Sequence, residues 1–188
     1  FFSEIAALYT IALFVIYALI AVAFRSYSLP ILIMTAMPFG FMGAVFGHLI
    51  FNLPMAMFSY FGIGAAAGVV VNDNLVLIDY VRRLEREGML PPKALVTSAV
   101  SRFRPIFLTT VTTFVGLIPI MAEQSTSAQF LKPAVLSLAF GVFFALFVSL
   151  LLVPAMYLIG YDWQQMRLAR KNRKSGDADA IEAVPAAI

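Results

Sequence analysis

An all-α integral membrane protein is the fold class that three features of this sequence predict. Of its 188 residues, 62% are hydrophobic and 12% charged, with a mean hydropathy of +0.92, whereas soluble domains are about 45 to 50% apolar. The apolar residues gather into five runs of at least 17 residues, the length that a membrane-spanning helix needs at roughly 1.5 Å per residue. The charged residues gather between these runs and in the C-terminal tail.

The first run, 5–24, carries no charge and closes on Arg25-Ser26-Tyr27-Ser28. The second, 29–51, follows after so short a joint that the two must be antiparallel neighbours. Pro30 sits where a first helical turn accepts proline, and internal Pro38 predicts a kink. Asn52-Leu53-Pro54 turns the chain into the third run, 55–81, which should continue into water through Glu87 and stop at Gly88 before Pro91-Pro92. Over 93–103, Leu95, Val96, Ala99, Val100 and Phe103 recur at three- and four-residue steps, which predicts a short amphipathic helix on the membrane surface. The fourth run, 105–121, opens at Pro105, and 122–132 reads as a polar loop. The fifth, 133–159, ends near Trp163, an aromatic at the interface. The tail, 162–188, is basic and then acidic and Ala-rich, with disorder expected beyond 174.

Twelve of the thirteen lysines and arginines fall on one face of this arrangement and only Lys132 on the other. The positive-inside rule makes the basic face cytoplasmic, with the N-terminal end outside and the C-terminus inside. Opening on Phe1-Phe2, without Met or a basic leader, the chain reads as a fragment of a longer protein. A formal charge of +3 could favour nucleic acid, but membrane topology accounts for the basic clusters better, so no nucleic-acid partner is expected. The lack of cysteine and the single histidine, His48, exclude disulfides, thiolate chemistry and a multi-histidine metal site; no metal or cofactor is expected. His48 is expected near a membrane surface or bonded to a neighbouring helix.

Within the third run, Asn72, Asp73 and Asn74 lie at mid-membrane depth. A carboxylate there is disfavoured by roughly 2.5 to 3.5 kcal/mol on insertion scales, so Asp73 should face protein or a wet path. Burial favours its neutral form and a nearby cation its charged form, and a carboxyl held between the two can take up and release a proton. Proton or ion coupling is thus the favoured role, over a static interhelical hydrogen bond. Asp79, close to Arg82 and Arg83, should pair there at the inner interface. Thr109, Thr110, Thr112 and Thr113 give the fourth run a high hydroxyl density; levelled from Arg82 and Arg104, Thr112 and Thr113 stand at the height of Asp73. Gly43 and Gly47, and Gly64 and Gly68, form two small-xxx-small packing patterns. The second would press the polar turn against a partner helix.

This order of features, with Arg102-Phe103-Arg104-Pro105-Ile106-Phe107-Leu108-Thr109 and the short Ser26 to Pro30 joint, resembles the resistance-nodulation-division (RND) efflux permeases, in particular the AcrB-type exporters of hydrophobic and amphiphilic compounds. The resemblance runs from Glu4 to about Tyr161. It implies helices eight to twelve of a twelve-helix permease, half of an RND-type membrane bundle. It further implies a proton relay in which Arg102 and Thr109 match the family's arginine and threonine, and Asn72 stands where the family has a lysine. That departure removes a mobile cation and brings forward the adjacent Asp73, with Asn74, Thr112 and Thr113 as supporting residues; between the threonines, the motif favours Thr109. The resemblance also implies a secondary active transporter, not an enzyme, in a bacterial inner membrane. Its partners would be lipid, the remaining N-terminal part of the permease with its fourth helix, and, as a homotrimer, a periplasmic adaptor and an outer-membrane channel. A metal- or lipid-exporting branch, or a purely structural membrane subunit, are the alternatives. An intramembrane aspartyl protease needs two carboxyls facing across a water, whereas Asp73 and Asp79 lie about 9 Å apart along one helix.

Overall fold

The computed structural model describes residues 2–182, and every regular element among them is helical. Helix α1 spans Phe2–Phe24, α2 Ser28–Met34, α3 Met37–Phe51, α4 Met57–Arg86, α5 Pro91–Ala122 and α6 Thr126–Glu182. Five segments are long and apolar enough to cross a membrane, α2 and α3 together forming one of them. The α2/α3 break falls at Thr35 and Ala36 because Pro38 has no N–H for the Met34 carbonyl and its ring crowds that carbonyl. At the arginine-rich end of the third span, Gly88 takes φ +92, a left-handed conformation that lets the Met89 N–H bond back to the Leu84 carbonyl and closes α4.

Helix α6 is the centre of the bundle. Gly43 of α3 meets Phe140 and Phe144, and Gly47 meets Phe140, so α3 and α6 run antiparallel. Gly62 of α4 lies on the Ala134 carbonyl and Ser137, and Ala66 lies on Gly141, so α4 and α6 run parallel. The core gathers Ile33, Val70, Leu77, Ile78, Ala145 and Val153 from α2, α4 and α6. Helix α1 adds Ile20 and Phe24 to this core and touches α4 through the Tyr9 hydroxyl, which donates to the Tyr60 carbonyl.

Three expectations need correcting. The segment 93–103 is no separate surface helix: it is the first third of α5, which runs unbroken through Pro105. Ala94, Leu95 and Ser98 are buried, with Ala94 and Leu95 packed on Val81 and Leu84 of α4. Leu95 of the apolar stripe thus rests on α4, whereas Val96, Val100 and Phe103 stay exposed; the α4 contact holds the helix across the donor lost at Pro105. The polar loop shrinks to 123–125, because α6 already starts at Thr126 and carries Pro133 inside it. The tail stays helical to Glu182, a stretch rich in Arg, Lys, Gln and Ala, which favour helix; residues 183–188 lie outside the described residues.

Candidate functional site

Helix periodicity places Asn72 and Asp73 of the polar turn on different faces. The exposed residues of α4 include Phe61, Ala65, Gly68, Asn72, Asp79 and Arg83. Their spacing makes a single stripe, one open face running the length of the helix. Asn72 lies on that stripe, and nothing stands within 4 Å of the position a Gly68 Cβ would take. Asp73 is turned by about 100° from it, at 3.6 residues per turn, and shares its face with Tyr80 seven residues on. That face looks toward α5, since the Arg102 guanidinium lies 5.2 Å over the Tyr80 ring. Asp73 itself is half-buried and makes no hydrogen bond or ion pair with another described residue.

Arg102 therefore does not reach Asp73. Its cation rests on Tyr80, about two turns of α4 below the carboxyl. On α5, Arg102, Thr109, Thr113 and Gly116 recur at seven-, four- and three-residue steps and so share the side next to α4. The Arg102 to Tyr80 contact puts Thr109 within about half a turn of the level of Asp73, and Thr112 and Thr113 about one to one and a half turns higher. The levelling from Arg82 and Arg104 is corrected by this register, because those two arginines are not at one height. Thr109 is exposed and donates to its own Pro105 carbonyl at 2.8 Å; Thr112 is exposed and donates to the Leu108 carbonyl at 2.8 Å. Both hydroxyls keep lone pairs for a further donor.

Asn74 points inward instead. It is fully buried, and its Nδ2 donates across 3.4 Å to the Ile33 carbonyl at the α2/α3 break, while its Oδ1 has no protein partner. Of the glycines, Gly43 and Gly47 pack on α6, Gly64 meets the Tyr9 hydroxyl of α1, and Gly68 is open. The second small-residue pattern is thereby divided between a neighbour and an uncovered face.

Other polar contacts had no sequence motif to announce them. His48 is buried; its Nδ1 contacts the Ala44 carbonyl and its Nε2 the Ser59 hydroxyl, both at 2.9 Å, while Ser59 Oγ also accepts from the Ala56 N–H. A carbonyl can only accept, so Nδ1 carries a proton. The Tyr157 hydroxyl donates to Glu85 at 2.7 Å, linking α6 to α4 at the arginine-rich end. The expected Asp79 pair is absent among the described residues: Asp79 is exposed, and Arg83 pairs with Glu87 at 3.3 Å, the four-residue helical spacing. Thr110 is buried with a hydroxyl lacking a partner. No group of three His, Asp or Glu side chains among the described residues could hold a metal ion.

Comparison with known proteins adds a family. The model for the AcrB/AcrD/AcrF family matches residues 2–160. The multidrug resistance protein MdtC of Salmonella paratyphi B is 26% identical over 87% of this chain, and MdtC of Proteus mirabilis is 27% identical over 89%. The chain spans 16% of the length of these curated relatives. Among solved structures, a heavy metal efflux pump superposes with a TM-score of 0.73 at 25% identity, over 83% of this chain and 15% of that one.

Proposed function

The chain belongs to the AcrB/AcrD/AcrF family of RND efflux permeases, and from that premise we propose that it forms part of the membrane domain of a proton-driven permease that exports amphiphilic compounds. Asp73 is the titrating group that this chain contributes, with Asn72 and Thr109 beside it and Arg102 lower on the same α4/α5 seam. The observation that carries the reading is the open polar stripe. Asn72 and Thr109 are exposed at nearly the height of Asp73, beside a Gly68 that nothing covers. Polar groups at mid-membrane depth do not face hydrocarbon without cost, so a further helix of the permease covers this face. In the family resemblance that helix is the fourth, with its pair of aspartates.

Export of drugs is supported by the name of the multidrug resistance protein MdtC, and the amphiphilic character of the cargo follows from the family resemblance. A homotrimer in the bacterial inner membrane, joined to an adaptor and an outer-membrane channel, follows from the family resemblance, as does a cytoplasmic C-terminus. The membrane potential supplies about 2.3 kcal/mol per proton per 100 mV.

The test is Asp73→Asn in the full-length permease at equal expression, with substrate efflux and intravesicular pH followed together. Asparagine keeps the size and hydrogen bonding but cannot titrate, so export and proton flux should both be lost while assembly is unchanged. Wild-type efflux and proton flux in the variant would refute the role of Asp73 and leave it a structural residue.

A further inference from the structure

Between α5 and α6, on the side away from the polar stripe, lies a groove of about 540 Å³. Its α5 wall is Phe103 and Phe107, whose rings stack 5.7 Å apart at 12°. Its α6 wall carries Phe147 and Leu151, both well exposed, above a floor of buried Leu146 and small Ala99. Toward the arginine-poor end the two helices close on each other through Phe114 and Phe143, 5.4 Å apart, and Phe143 in turn touches Phe147 at 5.5 Å. The groove is therefore shut at the bilayer centre and open toward the arginine-rich end. From Ala99 to Phe107 it runs about 12 Å, close to one leaflet's half of a hydrocarbon core about 30 Å thick.

Arg104 stands beside the groove without lining it, and is unengaged among the described residues. Arg104 adjoins Val100 and Phe107 on the α5 surface at four- and three-residue steps, is exposed, and makes no hydrogen bond, ion pair or ring contact among the described residues. Side chains on a helix lean toward its N-terminus, which directs this guanidinium from the groove wall toward the water side, at headgroup height. Among the described residues no carboxylate lines the groove. An apolar slot with a free guanidinium beside its α5 wall, leaning to the water side, matches a molecule with an acyl chain below a phosphate.

We infer that this groove is a binding site for an anionic phospholipid of the arginine-side leaflet, one acyl chain lying between Phe103, Phe107 and Phe147 and the phosphate on Arg104. The arginine sets the headgroup preference, and the aromatic walls, already stacked, hold the chain without rearranging.

The test uses the full-length permease in nanodiscs of mixed phosphatidylglycerol and phosphatidylcholine, with a photoreactive group on the acyl chain of one lipid or the other. It reads cross-linked peptides and not transport, so its outcome is independent of the proton-coupling proposal. The peptide containing residues 146–151 should be labelled severalfold more by the phosphatidylglycerol probe. Arg104→Gln should lower that labelling about fivefold, as expected for one interfacial charge, and leave phosphatidylcholine labelling unchanged, while Arg104→Lys should retain most of it. Ala99→Phe, which fills the floor, should abolish labelling by both. Equal labelling by the two probes with no response to Arg104→Gln would overturn the proposal. So would an unlabelled groove in which Leu151→Cys forms a disulfide with an engineered cysteine elsewhere in the permease, since protein would then be the occupant.

Discussion

Replacing Gly43 by alanine puts a methyl group where α6 leaves no room. A Cβ built there meets the Phe140 carbonyl oxygen and the Phe144 Cβ at 2.5 Å, and the Gly141 Cα at 3.2 Å. Two of these three neighbours are backbone atoms, which cannot rotate aside. Ordinary contact starts near 3.4 Å, so α3 and α6 must part locally by about 0.9 Å. A gap of that size forfeits about a quarter to a half of the dispersion energy of each facing atom pair, and overpacking of this kind typically costs about 1 to 3 kcal/mol. Against this, alanine improves helix propensity by up to about 1 kcal/mol. The net expectation is a destabilisation of about 1 to 2 kcal/mol. Gly160→Ala, on α6 away from the stripe, is the internal control, since its Cβ enters open space and should be neutral or slightly stabilising. Unfolding in mixed dodecylmaltoside and SDS micelles, followed by far-UV circular dichroism, measures both. Equal stability of the two variants would refute the close α3/α6 approach.

Asn74→Leu should destabilise by about 1 to 3 kcal/mol, because the buried Ile33 carbonyl loses its donor, with amide exchange near Thr35 and Ala36 accelerating most. An unchanged exchange pattern would mean that the asparagine does not secure the break. Ser59→Ala removes a partner from buried His48 and from the Ala56 N–H, and should likewise cost about 1 to 3 kcal/mol in the same micelle assay. Tyr157→Phe removes the hydroxyl that bridges α6 to Glu85 and should cost about 1 to 2 kcal/mol, with the effect lost when Glu85 is also changed to leucine, which has no acceptor.

The spans were legible because charge is so costly in hydrocarbon that five apolar runs between charged clusters leave few other readings. The first half of α5 was not legible. An apolar stripe over 93–103 looks the same whether lipid or another helix covers it, and only the burial of Leu95 against Val81 and Leu84 decides between them. The two small-residue patterns were equally ambiguous: Gly43 and Gly47 press on α6, whereas Gly64 meets a tyrosine and Gly68 meets nothing. A pattern marks where helices can approach, and the partner decides whether they do. Arg102 was chosen by its motif, yet the aromatic ring that holds it, Tyr80, sits seven residues beyond Asp73 and belongs to no motif.

That placement bears on what Asp73 can do in the proposed relay. Neighbouring helical residues differ in direction by about 100°, so a carboxyl at position 73 cannot take over the direction of a lysine at position 72. Asn72 faces the open stripe, and Asp73 faces the α5 seam. A proton passing between the uncovered side and Asp73 has to cross the edge formed by Asn72 and Thr109, both of which offer lone pairs and neither of which holds a charge. Arg102, resting on Tyr80 about two turns away, could approach the carboxyl only by leaving that ring. A cation–π contact is worth about 0.5 to 1 kcal/mol when exposed and about 2 kcal/mol or more when desolvated, comparable to the roughly 2.3 kcal/mol per 100 mV that one proton brings across the membrane. Release of Arg102 from Tyr80 is therefore within reach of the driving force, and it would free a cation on the face of α5 that adjoins Asp73.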